Sequence, residues 1–318
     1  MWSLFRISSD ADKSYQSTSE QALLPELTLE HLLGWQRYKG ALKSKLHTPT
    51  SSVLAGQHRS RVQGKGMELS EIRNYQPGDD IRLMDWKVTA RTRKPHTKVF
   101  MEEKERPVQL VLDLSYSMLF GSQRSKAEQA ANVAATIGWA LSHQGDRCGG
   151  LIFNGKKQYL IRPGARKKGL LPLLKQSCDL STDLITEHSA SAPGRMNQVL
   201  KQISLPGHGQ LIILISDFWS LDITDNQLLS RLSKKHNVLA VLITDPMESE
   251  LPPGPCYLHD KQKSFFFDGS LTDDRTRYKK QAEQRQQALK QFFMQNKSHF
   301  ITLSTEENPP DKLQQCFI

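Results

Sequence analysis

The chain alternates between short aliphatic runs of strand length and stretches whose apolar residues recur at helical spacing. Residues 108–112 form the first such run, which stops at Asp113. A helix is predicted over 126–143. There Val133, Ile137 and Leu141 recur every four residues with Ala130, Ala134 and Gly138 between them, small enough to let the helix lie close on a sheet, while Trp139 falls off the stripe. Residues 147–153 and 158–161 read as a hairpin turning at Asn154-Gly155. A short helix is predicted over 169–176, and the polar stretch 178–193 has no readable period. Helix 196–203, strand 210–215 ending at Ser216-Asp217, helix 221–235 and strand 238–244 ending at Asp245 continue the alternation. Residues 263–267 read as an edge strand and 272–295 as a long helix capped by Thr272, and strand 300–303 closes the sheet. This order predicts an α/β fold of Rossmann type, a mainly parallel sheet with helices on both faces.

The flanks follow other patterns. Residues 8–20 are Ser-rich and polar, and read as a loose tail. Residues 27–44 read as a helix capped by Thr28, with Leu32, Leu33, Trp35, Tyr38 and Leu42 as the stripe that docks it on the main domain. Residues 56–106 mix charges of both signs with scattered glycines and a Pro77-Gly78-Asp79-Asp80 turn. Ile81, Leu83, Met84, Trp86 and Val88 stand there as in short surface-covering strands. The predicted organisation is an N-terminal tail and helix over 1–55, a small charged β-rich subdomain over 56–106, the main α/β domain over 107–305 and a C-terminal tail over 306–318.

Composition is that of a soluble globular protein, 37% hydrophobic and 24% charged. The net charge of +10 raises nucleic acid, anionic membrane and acidic protein surfaces as partners, beside the plainer reading of a Lys-rich solvated surface. Cys148, Cys178, Cys256 and Cys316 form no C-x-x-C pair, which points to a reducing, cytoplasmic setting. No aliphatic run approaches the length of a membrane span, so a soluble protein is expected, with peripheral membrane association open to it.

Candidate chemistry gathers at the end of the first strand. Asp113, Ser115 and Ser117 alternate, so in extended chain they share a side and three hard oxygen ligands converge. Asp217 and Asp245 also stand just past strands. Any one acid there is explained by turn formation or helix capping; three oxygens in one short loop exceed what a cap requires. Other chemistries fail on pattern. Gly64-Lys65-Gly66 lacks the Ser or Thr of a phosphate loop, Ser115 and Ser117 lack a nucleophile elbow, and His143, His188, His208 and His236 are dispersed. In the small subdomain, pairs between Arg82 and Asp79, Asp80 or Asp85 read as stitching, and Trp86 as core.

Asp-x-Ser-x-Ser after a buried strand resembles the metal-ion-dependent adhesion site of von Willebrand factor A domains. The runs Arg73-Asn74-Tyr75-Gln76-Pro77-Gly78-Asp79-Asp80-Ile81-Arg82, Asp85-Trp86, Asp113-Leu114-Ser115-Tyr116-Ser117-Met118, Ser216-Asp217-Phe218 and Asp245-Pro246 resemble the family known as domain of unknown function 58. That resemblance implies a von Willebrand A-like domain and partnership with a MoxR-type AAA+ ATPase in assembly or maturation of protein complexes; no enzymatic activity is established for that family, and a non-enzymatic interaction protein is expected. By position it implies that Ser115 and Ser117 bind Mg2+ or Mn2+ directly, with Asp113 and Asp217 acting through water. The adhesion site also uses a Thr that the matching stretch around Gly194-Arg195-Met196 lacks. Arg195 stands there, where a cation opposes a metal, and Thr182 or Thr186 are left to compensate. A metal-free relic of the site is therefore the alternative. The alternative in another functional class is a divalent-cation-dependent phosphodiester enzyme or a nucleic-acid-binding protein.

Overall fold

The computed structural model describes residues 7–8, 27–40, 67–102, 106–187, 194–203, 209–224, 226–250, 255–259, 264–268 and 272–317. In chain order the elements are β1 (Ile7–Ser8), α1 (Leu29–Gly34), β2 (Met67–Asn74), α2 (Trp86–Thr92), β3 (His96–Glu102), β4 (Pro107–Asp113), α3 (Lys126–His143), β5 (Arg147–Phe153) and β6 (Gln158–Ala165). There follow α4 (Lys167–Glu187), α5 (Arg195–Gln202), β7 (Leu211–Ser216), α6 (Asn226–Lys235), β8 (Asn237–Thr244), β9 (Pro255–His259), β10 (Ser264–Asp268), α7 (Thr272–Gln295), β11 (His299–Ser304) and α8 (Pro309–Phe317). They fall into two compact units, residues 1–47 with 106–318, and residues 48–105.

The larger unit is mixed α/β around a six-stranded sheet of order β11-β8-β7-β4-β5-β6. All neighbours are parallel except β5 and β6, which form the hairpin expected at Asn154-Gly155. Alternation along β4 divides the core in two. Leu110 and Leu112 face a cluster with α1, α3 and α4, while Val111 faces one with α5, α6 and α7. Helices thus cover both faces, as parallel strands require. From β4 the chain steps to β5 on one side and later to β7 on the other, so the strand order reverses between β4 and β7.

Helix α3 shows why its composition is so poor in large side chains. Fifteen of its residues are buried, and a Cβ on Gly138 would meet the Leu170 side chain at 2.4 Å. Its off-stripe Trp139 is buried too, because its Nε1 donates to the Leu32 carbonyl at 3.2 Å. Trp35 Nε1 likewise donates to Asn132 Oδ1 at 2.9 Å, which pins the N-terminal segment on α3. That segment is α1, capped by Thr28, followed by a 3-10 turn over Trp35–Tyr38; the expected continuation over 41–44 lies outside the described residues.

Four expectations are corrected. Helix α4 runs on to Glu187, because Ser177 and Ser181 continue the buried stripe of Leu170, Leu173 and Leu174 without being apolar. The strand near 263–267 is β10, which pairs with β9 and β1 in a separate antiparallel sheet instead of edging the main one. The C-terminal tail contains α8, whose Leu313 is buried in the core. In the smaller unit, residues 81–92 are helical turns and not strands. Asp80 accepts from the Arg82 N–H at 3.0 Å to start a 3-10 turn, and Asp85 accepts from the Lys87 and Val88 N–H groups to cap α2. Among the described residues its sheet is the antiparallel pair β2–β3. Among the described residues there, Arg73 pairs with Asp79 at 2.8 Å and Lys98 with Asp85 at 3.7 Å, and Trp86 is 66% exposed.

Candidate functional site at the strand-order reversal

Ligands of open α/β sheets bind beyond the carboxyl ends of the strands where the order reverses. Here that point is flanked by the ends of β4 and β7, which carry Asp113 and Ser216-Asp217. Asp113, Ser115 and Asp217 are almost completely buried, and Ser117 lies in the wall of a cavity of about 370 Å3. The cavity wall also contains Phe120, Lys126, Trp219, Tyr278 and Arg285.

Local geometry aims each group. Asp113 Oδ1 accepts from the Ser115 N–H at 2.9 Å, and its Oδ2 accepts from the Ser216 hydroxyl at 2.6 Å, tying the two strand ends together. After Asp217 the chain turns through Phe218, whose φ of 56° is left-handed and costs about 1–2 kcal/mol for a residue with a Cβ. The Phe218 N–H donating to Ser216 Oγ at 2.8 Å and the ring contact with Phe293 at 5.0 Å hold that turn. The loop before α3 folds back so that the Lys126 N–H reaches the Phe120 carbonyl at 2.9 Å. A Cβ on Gly121 would stand 1.9 Å from the Arg124 carbonyl oxygen, so this return needs glycine.

The return brings in a residue absent from the expected ligand set. Lys126, 1% exposed, places its ammonium 2.8 Å from Asp217 Oδ2 and also donates to Glu248. Arg285, stacked on Trp219 at 3.7 Å, donates to the Asp217 carbonyl oxygen at 2.8 Å. Burial opposes the charge on Lys126, but Asp217 and Glu248 outweigh it and the net shift is upward. Burial likewise opposes ionisation of Asp217, and the charge and hydrogen bond of Lys126 with the charge of Arg285 bring its carboxyl below the usual range. Asp113 has no cation of its own. Burial first, and repulsion from Asp217 second, push it up to about 6 against the hydrogen bonds from Ser216 and the Ser115 N–H.

The expected metal ligands can now be tested as a set. Ser115 Oγ suits a cation: it is buried, and although it lies near enough to Asp113 to favour that carboxylate, it lacks the geometry of a hydrogen bond. The carboxylates do not suit one. Both Asp113 oxygens are engaged, and Asp217 Oδ2 already holds an ammonium. A divalent ion about 4 Å from that ammonium would be repelled by about 8 kcal/mol at an effective dielectric near 20. In this arrangement the residues do not fit a divalent cation.

The other candidates lie elsewhere. Arg195 reaches the β5–β6 hairpin, donating to Gln158 Oε1 at 3.1 Å, and Thr182 donates to the Cys178 carbonyl one turn back on α4. Asp245 is a cap, its Oδ2 accepting from Thr305 Oγ1 at 2.6 Å and from the Ser122 N–H at 2.8 Å. Cys148 and Cys178 are free, and burial pushes both thiols up to about 11, so they are protonated at neutral pH. Lys126 itself left one readable trace in the sequence. A lysine in the first turn of a helix opposes the helix dipole, so its place behind Ser125 calls for a compensating anion.

Among the described residues no helix is long and apolar enough to cross a membrane. Uncharacterized proteins of Mycobacterium bovis and of two Mycobacterium tuberculosis strains are each 32% identical over 229 residues, covering 70% of this chain and 70% of theirs. A solved structure, that of an aerotolerance-related membrane protein from Bacteroides fragilis with multiple mutations to serines, has a TM-score of 0.40 and 15% identity over 67% of this chain and 96% of that one. So loose a likeness bears on neither fold type nor function. The family model described as "Protein of unknown function DUF58" matches residues 71–289, and with relatives at that identity the chain belongs to the DUF58 family.

Proposed function

We propose that this chain is a non-enzymatic, cytoplasmic protein-interaction module of von Willebrand A-like architecture. Its docking face is the carboxyl edge of the six-stranded sheet, and it works with a MoxR-type AAA+ ATPase in assembling or maturing protein complexes. The observation that supports this most is the character of the edge between β4 and β7. Its acids are engaged in hydrogen bonds and an ion pair, and beside them opens a cavity walled by aromatic rings and the Arg285 guanidinium. Such a surface is suited to receive a group from a partner. The direct test is capture of the ATPase by the purified full chain, with Arg285→Ala and Trp219→Ala as variants of the cavity wall. Loss of capture in both, with unfolding midpoints retained, is the expected result. Undiminished capture by both variants would remove the edge from the interface, and no capture by the wild type would remove the partner.

The rival reading, a cation-dependent phosphodiester enzyme or nucleic-acid binder, has the net charge of +10 in its favour. Phosphate contacts would give steeply salt-dependent binding in a gel shift, and the docking reading expects none.

A further inference from the structure

We infer that the Lys126 ammonium is the resident cation of the β4–β7 site, holding Asp217, one of the four residues to which the adhesion-site resemblance assigns a divalent ion, so that the site is complete without metal. Three observations carry this. The ammonium is covalently tethered to the first turn of α3 and 1% exposed, so it is neither mobile nor exchangeable with solvent ions. It engages the acid at the end of β7 and a second carboxylate, Glu248, from the turn after β8, and so joins elements that a bound ion would otherwise join. It arrives through a loop whose return at Gly121 admits no side chain, a fixed delivery and not a chance conformer. The buried Ser115 hydroxyl makes no hydrogen bond, and a metal would satisfy it. Against it stands Asp217, one of the two carboxylates the resemblance assigns to the ion, already neutralised by a charge that cannot leave. The inference stands apart from the identity of any partner, and its test uses none.

Mn2+ titrated into the purified full chain and followed by electron paramagnetic resonance reads the site directly. The wild type is expected to take up no stoichiometric Mn2+ at millimolar concentration, and its thermal midpoint is expected to be the same in Mg2+ and in chelator. Lys126→Met removes the charge and keeps the length, leaving Asp217 and Glu248 to an outside ion. That variant should bind Mn2+ at least about tenfold more tightly than the wild type, and adding Asp217→Asn should abolish the gain. If Lys126→Met alone does not fold, the pair Lys126→Met with Asp217→Asn decides, since removing both charges should restore folding where removing one does not. Stoichiometric Mn2+ binding by the wild type that Ser115→Ala or Asp113→Ala removes would overturn the inference. So would additive destabilisation by Lys126→Met and Asp217→Asn, because a resident cation must be coupled to its acid.

Discussion

The ends of β7 and β8 begin alike and are finished differently. Each is a buried aliphatic strand stopping at an acid, Asp217 in one case and Asp245 in the other, and both carboxylates are 1% exposed. Asp245 is surrounded by neutral donors: the hydroxyls of Ser122 and Thr305 and the N–H groups of Ser122 and Met247. Asp217 faces a buried ammonium and lies beside a guanidinium. The first is a structural cap whose charge is dispersed over many small dipoles. The second concentrates charge at the strand-order reversal, beside a cavity. What separates them is not the strand or the acid but which distant segment delivers the partner, the first turn of α3 for Asp217 and the turn after β11 for Asp245.

The comparison breaks most visibly at Lys126. Lys126→Ala leaves two carboxylates, one fully buried, without their cation, and a buried pair broken on one side costs about 3–5 kcal/mol. Urea unfolding of the variant should show that loss, and the double variant with Asp217→Asn should recover much of it. No single donor to Asp245 should cost as much. A Lys126→Ala loss below that of Thr305→Val would place the two strand ends in one class.

The next effect is a pH dependence that belongs to the β4–β7 end alone. Asp113 stands at about 6 in the fold against 3.8 as a free group, so the folded chain holds this proton where the unfolded chain has released it. Stability should therefore fall as pH rises from about 4 to about 6, by on the order of 3 kcal/mol from this group, and be level above. Asp217 works in the opposite sense. Its contribution is full above the ordinary carboxylate range and is lost as pH falls toward its lowered folded value. Unfolding midpoints of the wild type and Asp113→Asn, measured between pH 4 and 7, separate the two. The variant should lose the decline, and an unchanged slope would show that Asp113 is not held up.

Most of the architecture could be read before the structure, because it is written in local periods. The strands at 108–112, 210–215 and 238–244, the hairpin at Asn154-Gly155 and the helix 126–143 are short-range patterns of burial, and the structure places β4, β7, β8, β5–β6 and α3 there. Two of the readings that failed depended on residues whose role is not hydrophobic. Ser177 and Ser181 extend a buried stripe by being small, and Asp80 and Asp85 turn an apparent strand region into helical turns by capping. For the site, the alternation Asp113, Ser115, Ser117 located the right loop and Asp217 the right neighbour. The side-chain charge that sequence position sets against a metal is Arg195, which the structure places against the β5–β6 hairpin. Lys126 and Glu248 stand 91 and 31 positions from Asp217, and no spacing rule reaches across such gaps. Only the unfavourable place of a lysine at a helix start hinted at a partner.

The smallest effects sharpen the Asp245 side. Thr305 Oγ1 donates to Asp245 Oδ2 from a fully buried position, so Thr305→Val removes one donor while keeping the shape. Net loss of one hydrogen bond to a charged group is about 1.5–3 kcal/mol, and because the same oxygen still accepts from Ser122, the low end is expected. Ser122→Ala should do less still, roughly 0.5 kcal/mol, since the Ser122 N–H keeps its own bond to that oxygen at 2.8 Å. A cap built from several modest donors should thus fail in steps, Thr305 before Ser122, each measurable as a shift of the urea midpoint at constant slope. An ion-paired acid has no such steps. If Ser122→Ala and Thr305→Val together cost far more than the sum of the two, the donors around Asp245 act as one network, and that strand end is closer to the β4–β7 site than its neutral partners imply.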